Sequence, residues 1–151
     1  MIPHRSTPVP NIILDVYLPI LKPAELCVLL VIIRQTLGWQ HETGEHRKHS
    51  DWISGSQLLQ KTGCSRKSIS TAIDSLHKRG LIYIFDEYRR RLDSPEERQG
   101  KMRMYYAFTG EKAVENAGTL PATCVKSSSD LRTFYAQQKK LLQKKLTYSP
   151  N

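Results

Sequence analysis

SGSQLLQKTGCSRKSISTAIDSLHKRG, the stretch that decides the fold, occupies residues 54–80 of this 151-residue chain. Ser54 or Ser56 can begin one helix and Ser65 a second, because a serine hydroxyl accepts hydrogen bonds from the free N–H groups of a first helical turn. Gly63 separates the two helices, and glycine adopts a positive φ without steric cost. The stretch therefore predicts two helices joined by a tight turn, as in a helix-turn-helix.

The second helix of this pair is amphipathic. Ile69, Ala72, Ile73 and Leu76 recur at i, i+3, i+4 and i+7 and predict a buried stripe. In helix-turn-helix proteins the N-terminal part of this helix enters the major groove of DNA. The candidate DNA-binding residues on its outer side are Ser65, Arg66, Lys67, Ser68, Ser70, Thr71, Asp74 and Ser75.

Arg66 and Lys67 carry the chemistry expected of a helix that reads DNA. Their cations match the O6 and N7 acceptors of guanine or a phosphate, and serine and threonine hydroxyls can contact bases or phosphates. The alternative is that these residues occupy the solvated face that any amphipathic helix has. The tight turn, the cap, the apolar stripe and a following hairpin occur together, and this combination favours DNA binding.

Two β-prone segments, 81–85 and 102–108, predict a hairpin whose connecting loop is a candidate wing. The short apolar step at 52–53 can add a brief strand before the helix-turn-helix. The loop cations assigned to DNA contact are Arg89, Arg90, Arg91 and Lys101. Acidic residues almost cancel their charge, so a solvated loop of mixed charge stands as the alternative to a wing that tracks phosphates.

The remaining segments flank this unit. Three prolines make residues 1–10 an extended N-terminal arm, and a winged helix-turn-helix domain, mainly α with a small β-hairpin wing, spans 11–120. Within it, the apolar helix that begins near Pro23 belongs at the centre of the core. Residues 121–129 form a linker, and 130–147 form a C-terminal amphipathic basic helix. That helix either binds phosphate or, as we prefer, pairs with a second copy to give a homodimer.

The amino-acid composition indicates the kind of partner and the cellular compartment. The formal net charge of +9 favours a polyanion, and nucleic acid is the commonest one. The three cysteines form no CxxC pair, which indicates a reducing compartment. The chain has no secretory signal pattern and no apolar run long enough to span a bilayer. We therefore expect a cytoplasmic protein that binds double-stranded DNA and not a membrane.

The sequence lacks the motifs of common enzymes. It contains no GxxxxGK[ST], GxGxxG, HExxH or GxSxG pattern, and no paired carboxylates stand beside a credible nucleophile. His41, His46 and His49 lie in a polar loop without the spacing of metal ligands, so a solvated loop is expected there. We predict a protein that is not an enzyme and that uses no metal and no cofactor.

The sequence resembles the N-terminal domain of the phage replication protein O family and related replication initiators over roughly residues 7 to 85. The residues that carry the resemblance are Pro10-Asn11, Arg34-Gln35-Thr36-Leu37-Gly38-Trp39, Asp51-Trp52-Ile53-Ser54 and Thr62-Gly63-Cys64-Ser65-Arg66. The Arg-x-Thr-x-Gly-Trp signature is the part that distinguishes this family, because the helix-turn-helix part fits many winged-helix regulators.

The resemblance implies a winged-helix domain that binds origin DNA as a dimer in a mobile element. Initiators of this family carry a further C-terminal region that recruits helicase machinery. This chain ends at Asn151, so we expect a bare DNA binder, a piece of a longer initiator or a regulator.

Three functions fit these features. The first is sequence-specific binding of double-stranded DNA in replication initiation or its control on a phage, plasmid or other mobile element. The second is transcription regulation with the same fold, and the third is a protein–protein adaptor. Fold alone does not separate them. A footprint on an iterated origin favours the first function, and a footprint over a promoter favours the second. Activity that is insensitive to DNA-contact substitutions favours the third.

Overall fold

A computed structural model of the chain describes residues 6–39 and 48–110. Its elements in chain order are a π-helical turn at Ile13–Tyr17, α1 Pro23–Thr36, β1 Asp51–Trp52, α2 Gly55–Thr62, α3 Arg66–Lys78, β2 Ile82–Phe85, α4 Pro95–Arg98 and β3 Tyr105–Phe108. The three strands form one antiparallel sheet in the order β1-β3-β2. The predicted fold class, mainly α with a small β-hairpin wing, is confirmed in these residues.

The joint between α2 and α3 follows from local chemistry. The Ser54 hydroxyl accepts a hydrogen bond from the Gln57 N–H at 3.1 Å, and the Gln57 side chain accepts one from the Ser54 N–H at 3.0 Å. This reciprocal pair is a capping box, so Ser54 and not Ser56 begins α2. Gly63 ends α2 with a φ of 68°, and Ser65 caps α3. The predicted tight turn is confirmed.

The core forms around α1, as predicted. Val28, Leu29, Ile32 and Ile33 are fully buried, and α1 packs against α2, α3 and the sheet. Burial of these branched side chains supplies the main stabilisation, about 1.5–3 kcal/mol for each side chain removed from water. The helix-turn-helix is therefore packed on a buried central helix.

The end of α1 is built by the segment Arg34–Trp39. The buried Thr36 hydroxyl donates to the Ile32 carbonyl at 2.8 Å. The Arg34 guanidinium donates to the Gly38 carbonyl at 3.2 Å and lies 4.8 Å from the centre of the Trp39 ring. A Cβ on Gly38 would meet both the Arg34 carbonyl oxygen and the Arg34 guanidinium, so glycine is required for this close approach.

The connection between β2 and β3 departs from the expected charged loop. Leu92 is buried, and its N–H donates to the Ile84 carbonyl at 2.9 Å, so the chain returns along β2 before it leaves the sheet. Ser94 then begins α4 through a second capping box. Strand β3 is also shorter than the predicted 102–108. The wing is therefore a folded insert, because a buried leucine and a capped helical turn interrupt its charged stretch.

Several predicted features lie outside the described residues. These are the start of the N-terminal arm, the loop that holds His41 and His46, the linker at 121–129 and the helix at 130–147. The predicted brief strand at 52–53 is confirmed as β1, although it begins one residue earlier, and it pairs with β3 through Asp51–Tyr106 and Trp52–Tyr105. That pairing brings the start of the helix-turn-helix against the hairpin.

Candidate nucleic-acid interface

The N-terminal half of α3 presents a continuous polar surface. All of its predicted contact residues up to the second turn are exposed, namely Ser65, Arg66, Lys67, Ser68, Ser70 and Thr71. The Ser65 hydroxyl accepts from the Ser68 N–H at 3.2 Å, and the two hydroxyls lie 2.9 Å apart. Ser65 and Ser68 thus fix the start of the helix, while Arg66, Lys67 and Thr71 project from it with the small Ser70 between them.

The C-terminal half of α3 faces the wing insert instead. Asp74 and Ser75 are half-buried, and the Asp74 carboxylate forms an ion pair with Arg98 of α4, with 2.7 Å between Oδ1 and Nη1. One turn later, His77 Nε2 lies 3.4 Å from the Asp93 carboxylate. The structure thus places Asp74 in an ion pair that holds α4 on α3. The first two turns of α3 are therefore exposed, while its third turn is partly covered by α4.

A lysine missed by the sequence analysis lies beside this surface. An open cavity of about 270 Å³ separates the start of α1 from α3, and Lys22 and Lys67 are among the residues that line it. Lys22 precedes the first residue of α1, and its backbone N–H donates to the Glu25 carboxylate at 2.9 Å. Only the packing of α1 on α3 brings the two lysines together, so no local pattern could have found Lys22.

The turn that follows β2 is organised around a buried carboxylate. Asp86 accepts hydrogen bonds from the Tyr88 and Arg90 N–H groups, both at 2.9 Å, and from Arg90 Nε at 3.0 Å. Lys101 Nζ lies 3.7 Å from the same carboxylate. Desolvation alone raises the pKa of Asp86, but these hydrogen bonds outweigh it and the pKa is lower than usual. Arg90 and Lys101 therefore have intramolecular partners in the wing.

Arg89 and Arg91 fold back across the sheet. Arg89 adopts a positive φ of 63°, donates to the Ser50 hydroxyl at 2.6 Å and lies 5.5 Å from the centre of the Tyr105 ring. Arg91 lies 4.3 Å from the centre of the Tyr83 ring and pairs with Asp93 at 2.9 Å. The arginine triplet therefore divides, with Arg90 directed to the turn and the other two to the outer face of the sheet.

The described residues offer no alternative site of metal or membrane type. Within 6–39 and 48–110, no group of three or more His, Cys, Asp or Glu side chains could hold a metal ion. The helices described for the same ranges are all too short or too polar to cross a membrane. The exposed start of α3, with the cations Arg66 and Lys67, is the candidate surface for nucleic acid.

The fold and this surface define a winged-helix protein with an exposed, basic second helix. The chain belongs to the bacteriophage replication protein O family, whose profile matches residues 7–92. Membership gives the chain a DNA-binding role related to phage replication, and it confirms the resemblance inferred from the sequence. The match extends from the arm to Leu92, so it covers the entire helix-turn-helix. No curated protein and no solved structure matches the chain.

Proposed function

We propose that the chain binds specific double-stranded DNA sites by inserting the start of α3 into the major groove, in the initiation of phage replication or its control. It acts as a binding protein and not as an enzyme, and it needs no cofactor. The observation that supports this proposal is the exposed cluster of Arg66, Lys67, Ser70 and Thr71 on a helix whose opposite side is buried in the core.

The geometry suits direct reading of bases. The major groove admits an α-helix, and a side chain in its first turn reaches base edges. Arg66 matches the two acceptors of a guanine, and the short Ser70 and Thr71 side chains allow the helix to approach closely. Lys22 and Lys67 flank the cavity beside α3 and can neutralise phosphates on the same side. The net charge of +9 adds a sequence-independent attraction.

Fluorescence anisotropy tests this function directly. Duplexes from the DNA that flanks the gene are compared with random duplex of the same length, at low and at physiological salt. We expect at least one flanking duplex to bind more tightly than random DNA, and its affinity to fall as salt rises because counterions are released on binding.

Two variants make the test specific to α3. Arg66→Ala with Lys67→Ala removes both exposed cations of the first turn and should abolish the preference for the flanking duplex. Lys78→Ala removes an exposed cation at the far end of the same helix and should leave the preference intact. Retention of full selectivity by the Arg66/Lys67 double variant, or absence of duplex binding even at low salt, would refute the proposal and favour a protein–protein adaptor.

A further inference from the structure

The outer face of the sheet carries a row of aromatic side chains that duplex binding by α3 does not use. Trp52 pairs with Tyr105 across β1 and β3, and Phe85 pairs with Tyr105 across β2 and β3. Residues directly opposite each other in antiparallel strands project from the same face. One aromatic ring from each strand therefore lies on a single line across the sheet. We call Trp52, Tyr105 and Phe85 the aromatic row.

The aromatic row lies on the side of the sheet that faces away from the core. Ile82, Ile84 and Tyr106 alternate with it along the strands and are fully buried. Trp52 is 40% exposed, and Tyr105 and Phe85 are half-buried. A sheet face turned away from the core usually carries polar side chains, because alternation places apolar residues on the core side. Three aligned rings on the outer side are thus an observation that core packing does not explain.

Arginines border this same face. Arg103 lies 5.6 Å from the centre of the Trp52 ring, and Arg89 lies 5.5 Å from that of Tyr105. Arg91 reaches the neighbouring Tyr83 ring. Arg91 pairs with an acid, Asp93. Within residues 6–39 and 48–110, no ion pair is described for Arg89 or Arg103. The face thus combines flat apolar rings with an excess of positive charge, which fits an anionic ligand that has aromatic groups of its own.

We propose that the aromatic row and its bordering arginines bind unpaired nucleotides, with bases stacked on the rings and phosphates paired with the guanidiniums. Exposed rings stack on any base, and arginine neutralises the backbone. In a duplex the base faces are already stacked on one another, so this surface selects single strands. An exposed cation–π contact is weaker than a base–aromatic stack, so an arriving base displaces a guanidinium from its ring towards a phosphate.

A cavity at the Phe85 end of the aromatic row offers space for such a ligand, and Trp52 and Tyr105 are not among its lining residues. An open cavity of about 330 Å³ lies on the face, and it is lined by Tyr83, Phe85 and Arg89 together with His49 and Ser50. The Arg89 guanidinium rests on the Ser50 hydroxyl at 2.6 Å, which is a neutral partner that a phosphate can replace. The surface is separate from the exposed start of α3, so it adds a second binding activity and does not rest on the first.

Anisotropy of the full chain with labelled oligo-dT, oligo-rU and duplex, each about 20 nucleotides long, tests the proposal. Trp52→Leu with Tyr105→Leu removes two π-faces but keeps apolar side chains on the sheet. We expect this variant to bind the single strands roughly 5- to 100-fold more weakly, and to keep the duplex affinity of the parent. The preferred oligonucleotide, dT or rU, then identifies the natural strand as DNA or RNA.

Two further variants keep the test decisive. Tyr88→Leu removes an exposed tyrosine that also lies beside an arginine but sits on the turn outside the row, and it should bind single strands normally. Arg103→Gln changes only an exposed side chain, so it reports on the surface even where the double variant fails to fold. Failure of the parent to bind single strands, or parental affinity in both the double variant and Arg103→Gln, overturns the proposal. Arg66→Ala tests duplex binding independently.

Discussion

At the scale of single residues, Arg66 and Asp74 show how two members of one predicted set take different roles. Both stand on the outer side of α3 in the sequence pattern. Arg66 is exposed at the start of the helix, while Asp74 is half-buried and bonded to Arg98. A helical pattern places residues on a face but does not say which part of that face another element covers.

Arg66→Ala should lower discrimination among duplexes. If Arg66 makes a bidentate contact to guanine, its loss costs about 1–3 kcal/mol on the preferred site and much less on random DNA. Competition binding with single-base variants of the preferred site measures the change, and Lys78→Ala serves as the control on the same helix. Equal losses on preferred and random duplex would contradict the base-reading role and leave Arg66 as a phosphate contact.

Tyr106 should make the fold sensitive to alkaline pH. Burial raises the pKa of Tyr106 to about 12, and Arg98 nearby only partly offsets this rise. The unfolded chain loses the phenol proton near pH 10, so the stability contributed by the neutral phenol is full below that pH. It is then lost as the pH rises towards the folded-state pKa, and the loss reaches about 2 kcal/mol.

Denaturant unfolding at a series of pH values tests this prediction. Tyr106→Phe cannot ionise at this position, so its stability should fall less between pH 9 and pH 12 than that of the parent. Tyr88→Phe removes a phenol that is 70% exposed and should follow the parent profile. Parallel profiles for the parent and Tyr106→Phe would show that Tyr106 does not cause the alkaline loss.

At the scale of elements, the parts that local chemistry determines could be predicted from the sequence. The capping serine of α3, the positive φ of Gly63 and the apolar stripe of α3 each depend on residues within one or two turns. Because these three features agree with one another, the helix-turn-helix could be predicted from the sequence. The Arg34–Trp39 signature is visible in the sequence as a family pattern, but its physical basis, the contact of Arg34 with Gly38 and Trp39, is visible only in the three-dimensional structure.

The wing could not be predicted to the same depth. The row of Trp52, Tyr105 and Phe85 depends on the register between strands that are far apart in sequence, and local propensity does not set that register. In the charged stretch after β2, the sequence also gives no sign that Asp86 is buried and accepts hydrogen bonds from its own turn. Net charge counts Arg90 and Asp86 as opposite signs, but it does not show that they bind each other.

The contact between α4 and α3 should be a measurable unit of stability. Arg98 is nearly buried, with 10% of its side chain exposed, and it meets a partly exposed Asp74 at 2.7 Å. An ion pair of this kind lies between an exposed pair and a buried one, so we expect a coupling energy of about 1 kcal/mol. A double-mutant cycle with Asp74→Ala and Arg98→Ala measures it through denaturant unfolding.

The same variants separate structure from recognition. Because Asp74 acts inside the fold, Asp74→Ala should leave discrimination among duplexes unchanged while Arg66→Ala lowers it. A coupling energy of zero would mean that α4 is not held by this pair. If Asp74→Ala lowers discrimination among duplexes and leaves stability unchanged, Asp74 contacts DNA directly.

At the scale of the whole molecule, the chain combines the exposed basic start of α3 with an aromatic outer sheet face on one small core. The two surfaces would bind the paired and unpaired forms of one polymer. The net charge of +9 then serves both, because each form carries a phosphate backbone. Variants on α3 and on the aromatic row should therefore change different affinities while salt weakens both.

Homodimerisation through the helix predicted for residues 130–147 is the prediction that remains at this scale. An amphipathic helix buries its apolar stripe on its own domain or on a partner, and a two-fold dimer would read two half-sites about one helical turn of DNA apart. Removal of residues 130–151 should then convert a dimer to a monomer in light scattering. It should also roughly halve the slope of log affinity against log salt on a two-site duplex, because half of the phosphate contacts are lost.

A duplex with one half-site is the control, since its slope should not change. A truncated chain that remains dimeric would contradict dimerisation by this segment. A parent chain that is monomeric would contradict dimerisation altogether.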